Sequence, residues 1–140
     1  MSNSATRLII NGGSEDREMP FFRGISYVYS LGVRTPSGNG IVSVNDTKRL
    51  HQIALEARDD YSKWVYSLNQ MFVDRNLVCK GLSLFLISDC SCKRTEFFQT
   101  YSIICNLLLI REIIQEKAPS QILLRNADKR LLHGLQSVAG

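Results

Sequence analysis

The stretch LSLFLISDCSCKRTEFFQTY, residues 82–101, decides how this chain is read. Residues 82–89 form an apolar run of strand length. Such a run, apolar on both faces, predicts a central strand of a parallel sheet, covered on both sides. Polar and thiol residues follow from Cys90 to Thr95, and then an apolar helical pattern begins. A helix is expected over residues 95–117. Its apolar positions, among them Phe97, Phe98, Tyr101, Ile104, Leu107, Leu108, Ile110, Ile113 and Ile114, cover a wide arc, and Pro119 closes it. QILLRNAD, residues 121–128, reads as a further strand with a polar exit. KRLLHGLQSVAG reads as a final helix with Leu131, Leu132 and Leu135 on its apolar side. From residue 82 the expected order is therefore β–α–β–α. Strands alternating with helices imply a parallel, Rossmann-like sheet with right-handed crossovers.

Upstream the pattern is different. Leu50, Ala54, Ala57, Tyr61, Trp64, Leu68 and Met71 recur at alternating spacings of four and three, one face of a long helix over residues 46–74. Asn45, Asp46 and Thr47 are candidate caps, since a short side-chain oxygen can accept from an orphan helix amide. Asp59 and Lys63 are an i,i+4 pair on the polar side. A kink near Asp59-Asp60 would shorten an unusually long element. Before it, RLIING, GISYVYSLGV and IVSV read as short strands separated by the turn-rich loops GSEDREMP and RTPSGNG. The expected domain plan is a single α/β domain over 1–140: residues 1–45 irregular with short strands, 46–78 a long helix, and 82–140 the βαβα segment.

With 140 residues, the chain suits one domain with a real core. Its 44% hydrophobic and 21% charged residues are a globular balance. The net charge of +4 permits anionic partners without demanding them. Lys and Arg come at most in pairs, as at Lys48-Arg49, Lys93-Arg94 and Lys129-Arg130, so no basic stripe marks a nucleic-acid binder. The opening MSNSATRLII lacks the apolar core of a secretory signal. Residues 103–114 are interrupted by Asn106, Arg111 and Glu112 and fall short of a membrane span. The expected compartment is cytoplasmic, which suits four reduced cysteines better than a disulfide framework.

In open parallel sheets, ligands bind beyond the carboxyl ends of the strands. Two such ends are expected, at residues 88–94 and 126–129. The first offers Ser88, Asp89, Ser91, Lys93 and Arg94 before a helix start. Free amides, a positive dipole end and added cations could hold a phosphate or a sugar phosphate there, and the bland alternative is a solvated loop capped by Thr95. No dinucleotide fingerprint or P-loop is present, and no cofactor is expected. Cys90-x-Cys92 is one thiol pair, whereas zinc needs four ligands, and His51 and His133 stand apart, so no metal is expected. Gly-x-Ser-x-Gly and His-Glu-x-x-His are both absent. Glu56, Asp59 and Asp60 read as a solvated face. Tyr61 and Trp64 read as core, with a stacking platform for sugars or bases as the alternative.

ARDDYSKWVYSLNQ, residues 57–70, followed by LSLFLISDCSCKRTEFFQTYSIICNLLLIRE, residues 82–112, resembles the front part of bacterial surface-carbohydrate biosynthesis proteins. These are glycosyltransferases with two facing Rossmann-like halves. The shared features are a helix with Asp-Tyr-x-x-Trp, a strand ending in Ser, a polar Lys-containing loop and a long Leu/Ile helix, over about residues 46–130. The resemblance implies that Ser88, Lys93, Arg94 and Glu96 meet a saccharide acceptor or a nucleotide sugar. It also implies a second lobe, since a two-lobed transferase needs about 300 residues or more. The expectation is an N-terminal, acceptor-side half. The alternative is a non-enzymatic interaction domain using the 46–74 helix, whose near-heptad spacing suits a two-helix seam or a partner protein.

Overall fold

The computed structural model describes residues 5–13, 19–36, 38–87 and 95–139, with side chains at all of these but 86–87, 95–98 and 139. The chain divides into two compact units, Met1–Thr47 with Asn106–Gly140, and Lys48–Cys105. The fold is mixed α/β, with one four-stranded parallel sheet and three α-helices among the described residues.

The sheet belongs to the first unit. Its strands are β1 (Thr6–Asn11), β2 (Ile25–Ser30), β3 (Ile41–Ser43) and a late strand, β6 (Gln121–Arg125). Their order is β3-β2-β1-β6, and every pair is parallel. Leu8, Ile9 and Ile10 on β1 are all fully buried, so both faces of this strand are covered. The doubly covered central strand expected at residues 82–89 thus exists, but it is β1. Strand side chains alternate between faces. Arg7, Ile9 and Asn11 therefore share one face with Ser26, Val28 and Ser30, while Leu8, Ile10, Tyr27 and Tyr29 share the other.

Helix α2 (Thr95–Lys117) is divided between the units, and its part from residue 106 packs in the first. Tyr29 Oη donates to Asn106 Oδ1 at 2.6 Å, and Lys117 Nζ lies 5.7 Å from the Tyr27 ring centre. These contacts place α2 on the Leu8–Tyr29 face. Burial pushes the Tyr29 hydroxyl up to about 12. The helix ends with Ala118 at φ 42°, whose N–H returns to the Ile114 carbonyl at 2.9 Å, just before Pro119. Helix α3 (Lys129–Ala139) buries Leu131 and Leu135, four apart on one stripe, while Leu132, one position on, is 43% exposed. A Cβ on Gly134 would stand 2.3 Å from Leu107 Cδ1, so this glycine lets α3 lie close against α2.

The second unit holds α1 (Thr47–Asp74), a continuous helix of 28 residues and about 42 Å. Asn76 at φ 56° closes it in a Schellman arrangement. The Leu77 N–H reaches the Phe72 carbonyl at 2.8 Å, and the Asn76 N–H reaches Val73 at 2.9 Å. Next comes a small antiparallel hairpin, β4 (Val78–Cys79) and β5 (Leu82–Ser83), then a 3-10 turn over Leu84–Ile87. Here the expected strand over 82–89 fails. Lys80 and Gly81 both take positive φ, 48° and 80°, which is the two-residue turn that joins antiparallel neighbours. Ser83 Oγ then accepts from the Phe85 N–H at 3.2 Å, which starts the tighter turn. Local turn chemistry outweighs the apolar run, so residues 82–87 add no strand to the parallel sheet, and the βαβα segment is not formed as read. Phe85 is instead buried against Phe72, ring centres 5.7 Å apart.

Candidate functional site

Ser88, Asp89, Ser91, Lys93 and Arg94 lie outside the described residues, as do Cys90 and Cys92. Glu96 falls in the first turn of α2, with its side chain outside the description. Over its described part, the run expected to lead there as a sheet strand forms the short β5 and the 3-10 turn Leu84–Ile87. The other expected strand end, at residues 126–129, does lie at the carboxyl edge of the parallel sheet.

That edge is built by three strands. β1 runs on to β2 on one side, but its other neighbour, β6, arrives only after α1 and α2. The order therefore reverses between β1 and β6. Ligands of open parallel sheets generally bind beyond the carboxyl ends at such a reversal; here the loops that follow β1 and β6 run in close contact. Asn11-Gly12-Gly13 leaves β1 here and Asn126-Ala127-Asp128 leaves β6. The Gly12 N–H donates to the Arg125 carbonyl at 2.8 Å, and the Gly13 N–H meets Asn11 Oδ1 at 3.5 Å. A Cβ on Gly12 would stand 2.9 Å from the Asn126 carbonyl oxygen, and one on Gly13 would stand 2.6 Å from Asn126 Cβ. Two glycines are thus what lets the loops pass each other. Asn126 itself sits at φ 50°, a conformation that asparagine tolerates better than most residues.

The end of β2 is finished by a side chain. Asn45 Oδ1 accepts from the Ser30 N–H at 2.9 Å, while Asn45 Nδ2 donates to the Ser30 carbonyl at 2.8 Å. One amide side chain so imitates a strand neighbour where β3 has ended. Thr35 Oγ1 reaches Ser30 Oγ at 3.2 Å. The carboxyl edge of the sheet consequently carries short amides and hydroxyls: Asn11 and Asn126 at the reversal, and Ser30, Thr35 and Asn45 at the end of β2.

The start of α3 is closed by its own sequence. Asp128 Oδ1 accepts from the N–H groups of Arg130 at 2.7 Å and Leu131 at 3.0 Å, and Asp128 Oδ2 meets Arg130 Nη2 at 3.0 Å. These amides are taken by a carboxylate, so this helix start is not an open phosphate cradle. The Leu131 backbone N–H, with help from Arg130, holds the Asp128 carboxyl below its ordinary 3.8. A carboxylate lowered in the fold stabilises it fully above the ordinary value, and the contribution vanishes as pH falls through the lowered one. In an acid titration followed by NMR, the Arg130 and Leu131 amide shifts are expected to move together with a midpoint below 3.8. A midpoint at or above 3.8 contradicts the cap, and Asp128→Asn should abolish the step.

On the Ile9 face, the segment 19–23 lies over the sheet. Arg7, 6% exposed, donates from Nε to Ser26 Oγ at 2.8 Å and from Nη2 to the Pro20 carbonyl at 2.6 Å. Its guanidinium carbon stands 4.5 Å from the Phe22 ring centre. Arg125 Nη1 contacts Met19 Sδ at 3.1 Å. Sequence inspection missed both arginines because an arginine inside a strand normally reads as an exposed position.

In the second unit, α1 buries only Ile53 fully. Tyr61 packs between Tyr101 and Trp64, with ring centres 5.2 and 5.8 Å away. Tyr101 Oη donates to the Ala54 carbonyl. Trp64, assigned to the core from its spacing, is 52% exposed, and Met71 is 38% exposed. The template used a strict seven-residue repeat, which drifts about 20° per heptad from a 3.6-residue helix. Tyr66, Ser67, Gln70, Met71, Asp74 and Arg75 line an open recess of about 460 Å³. Glu56, Asp59 and Asp60 are exposed, and Lys63 Nζ meets Asp60 Oδ1 at 3.8 Å rather than the expected Asp59. Such an exposed pair contributes little. Burial pushes the Cys105 thiol up, which makes it inert rather than nucleophilic. Among the described residues no three His, Cys, Asp or Glu side chains gather as a metal set, and no helix is long and apolar enough to cross a membrane.

No protein-family model matches the chain, and neither a curated protein nor a solved structure matches it.

Proposed function

We propose that the first unit is a Rossmann-like saccharide-binding module, the acceptor-side part of a glycosyltransferase of surface-polysaccharide synthesis. One observation carries the reading: the strand order reverses at β1 and β6, and the carboxyl edge of the sheet carries amides and hydroxyls. The order 3-2-1 followed by a later strand is that of a Rossmann half. Short neutral donors and acceptors suit a ligand rich in hydroxyls. The capped α3 start disfavours the purely phosphate-directed alternative at that helix. The resemblance over residues 46–130 points to the same class of ligand.

The test is an NMR titration of the full chain with monosaccharides, short oligosaccharides and nucleotide sugars. Shifts are expected at Gly12, Gly13, Leu31 and Asn126. Asn126→Gly keeps the positive φ and removes only the amide, so it should weaken binding about tenfold, the scale of one lost polar contact of about 1.4 kcal/mol. Shifts confined to other regions, or none, overturn the reading.

The exposure of Trp64 and Met71, two members of the four-three stripe on α1, favours a second reading, a helix seam between two copies of the chain. Sedimentation should then show a dimer, with Trp64 emission shifting to the blue as concentration rises. A monomer at all concentrations rejects it.

A further inference from the structure

Strand β6 ends the sheet in the order β3-β2-β1-β6, so one of its edges faces away from β1. The Gly12 N–H donates to the Arg125 carbonyl, which turns the Arg125 backbone toward β1. Along a strand, successive residues direct their N–H and C=O to alternate sides. Gln121, Leu123 and Arg125 therefore face β1, while Ile122 and Leu124 direct their N–H and C=O outward. Among the described residues, none pairs with these outward groups. Gln121 and Ile122 are also exposed. Sheet edges are ordinarily blunted by lysine or proline. QILLR carries neither, and its one charge stands at the last position, Arg125.

We propose that β6 is the edge through which two copies of this chain pair, antiparallel, joining their four-stranded sheets into one. The outward groups are self-complementary. Antiparallel strands exchange two hydrogen bonds wherever both residues of an opposed pair face each other. A two-fold axis at Leu123 sets Ile122 opposite Leu124 of the second copy, and Leu124 opposite Ile122 of the second copy. Every outward N–H then meets a carbonyl. Leu123 stands beside its own counterpart, apolar against apolar. Arg125 falls opposite Gln121 of the second copy, so no like charges are opposed. The strand ends fix this register, because Pro119 lacks an N–H and Asn126, at φ 50°, has left the extended conformation. A slip of two residues keeps only one of the two bonded pairs. A foreign strand would have to match this pattern by its own sequence, whereas a second copy matches it by symmetry and closes the edge. The carboxyl edges of the two copies point away from each other, so the pairing is independent of the saccharide reading and of the α1 seam.

The experiment is sedimentation of the full chain over a concentration series, with amide exchange followed by NMR on the same samples. A dimer is expected, and the Ile122 and Leu124 amides should exchange about tenfold more slowly once about nine-tenths of the chain is paired. The Leu123 amide, which already faces β1, is the internal reference. Leu124→Pro removes one outward donor from each copy and leaves the inward ladder intact, since proline is tolerated at an edge where its missing N–H would face solvent. Half of the seam's hydrogen bonds are then lost, and the dimer should weaken about thirtyfold, with thermal unfolding of the dilute chain little changed. Where Leu124→Pro disturbs the fold, amide exchange in the native chain decides. A dimer in which the Ile122 and Leu124 amides stay fast, with Trp64 emission moving to the blue, puts the contact on α1 and overturns the inference. Slow exchange of these two amides at every concentration means that the edge is covered within one chain, and overturns it as well. A monomer throughout overturns both the β6 pairing and the α1 seam.

Discussion

Gly24→Ala is expected to open the sheet of the first unit. A Cβ at this position would stand 2.0 Å from the Ala5 carbonyl oxygen and 2.9 Å from Phe22 Cε1. The first neighbour is backbone, so it cannot rotate away. That same carbonyl accepts from the Ile25 N–H at 3.3 Å, the bond that begins the pairing of β1 with β2. Relief requires β1 and β2 to separate at their amino ends or the 19–23 segment to leave Arg7. Overpacking against a rigid neighbour costs about 3 kcal/mol. Of a total stability of about 5–15 kcal/mol, that is a large share. Amide exchange at Leu8, Ile9 and Ile10 should accelerate about a hundredfold, the equivalent of that cost when opening is global. Less than about a threefold change means that the close approach is not rigid.

Ile110→Ala should cost about 3–4 kcal/mol, the range for truncating a fully buried aliphatic side chain where the cavity cannot collapse. Ile110 is 0% exposed, and Leu109 and Ile113 beside it on α2 are also buried. Ile104, at 38% exposed on the same helix, is the control, and Ile104→Ala should cost less than about 1 kcal/mol because much of its surface already faces water. Urea unfolding compares the two. Equal costs would mean that Ile110 is not buried in the core of the first unit as described.

These predictions separate what was legible from what was not. The bounds of α2 stood in the sequence, since Thr95 opens an apolar helical pattern and Pro119 follows its last turn at Lys117. The extent of α1 was legible from a sustained helical period, and α3 from Leu131 and Leu135 on its apolar side, while its Asp128 cap came only with the structure. Helix signals are local, with partners three and four residues apart. The short strands at β1, β2, β3 and β6 were also visible as segments. The candidate site was only half visible: Gly12-Gly13 read as a turn and residues 126–129 as a polar strand exit, with nothing to join them.

The sequence by itself determined the helices and the turn glycines, because each depends on neighbours within a few residues. Only the tertiary structure decided that the late strand pairs with the first. Ser120 Oγ donates to the Thr6 carbonyl across 114 residues, and no local periodicity encodes such a pairing. It decided that β1, not residues 82–89, is the doubly covered strand, because Lys80-Gly81 turns the chain back before the apolar run can extend. It also decided that Arg7 is buried, because the face of a strand residue follows from its register with β2 and β6, and the segment that covers it is placed by the same pairing.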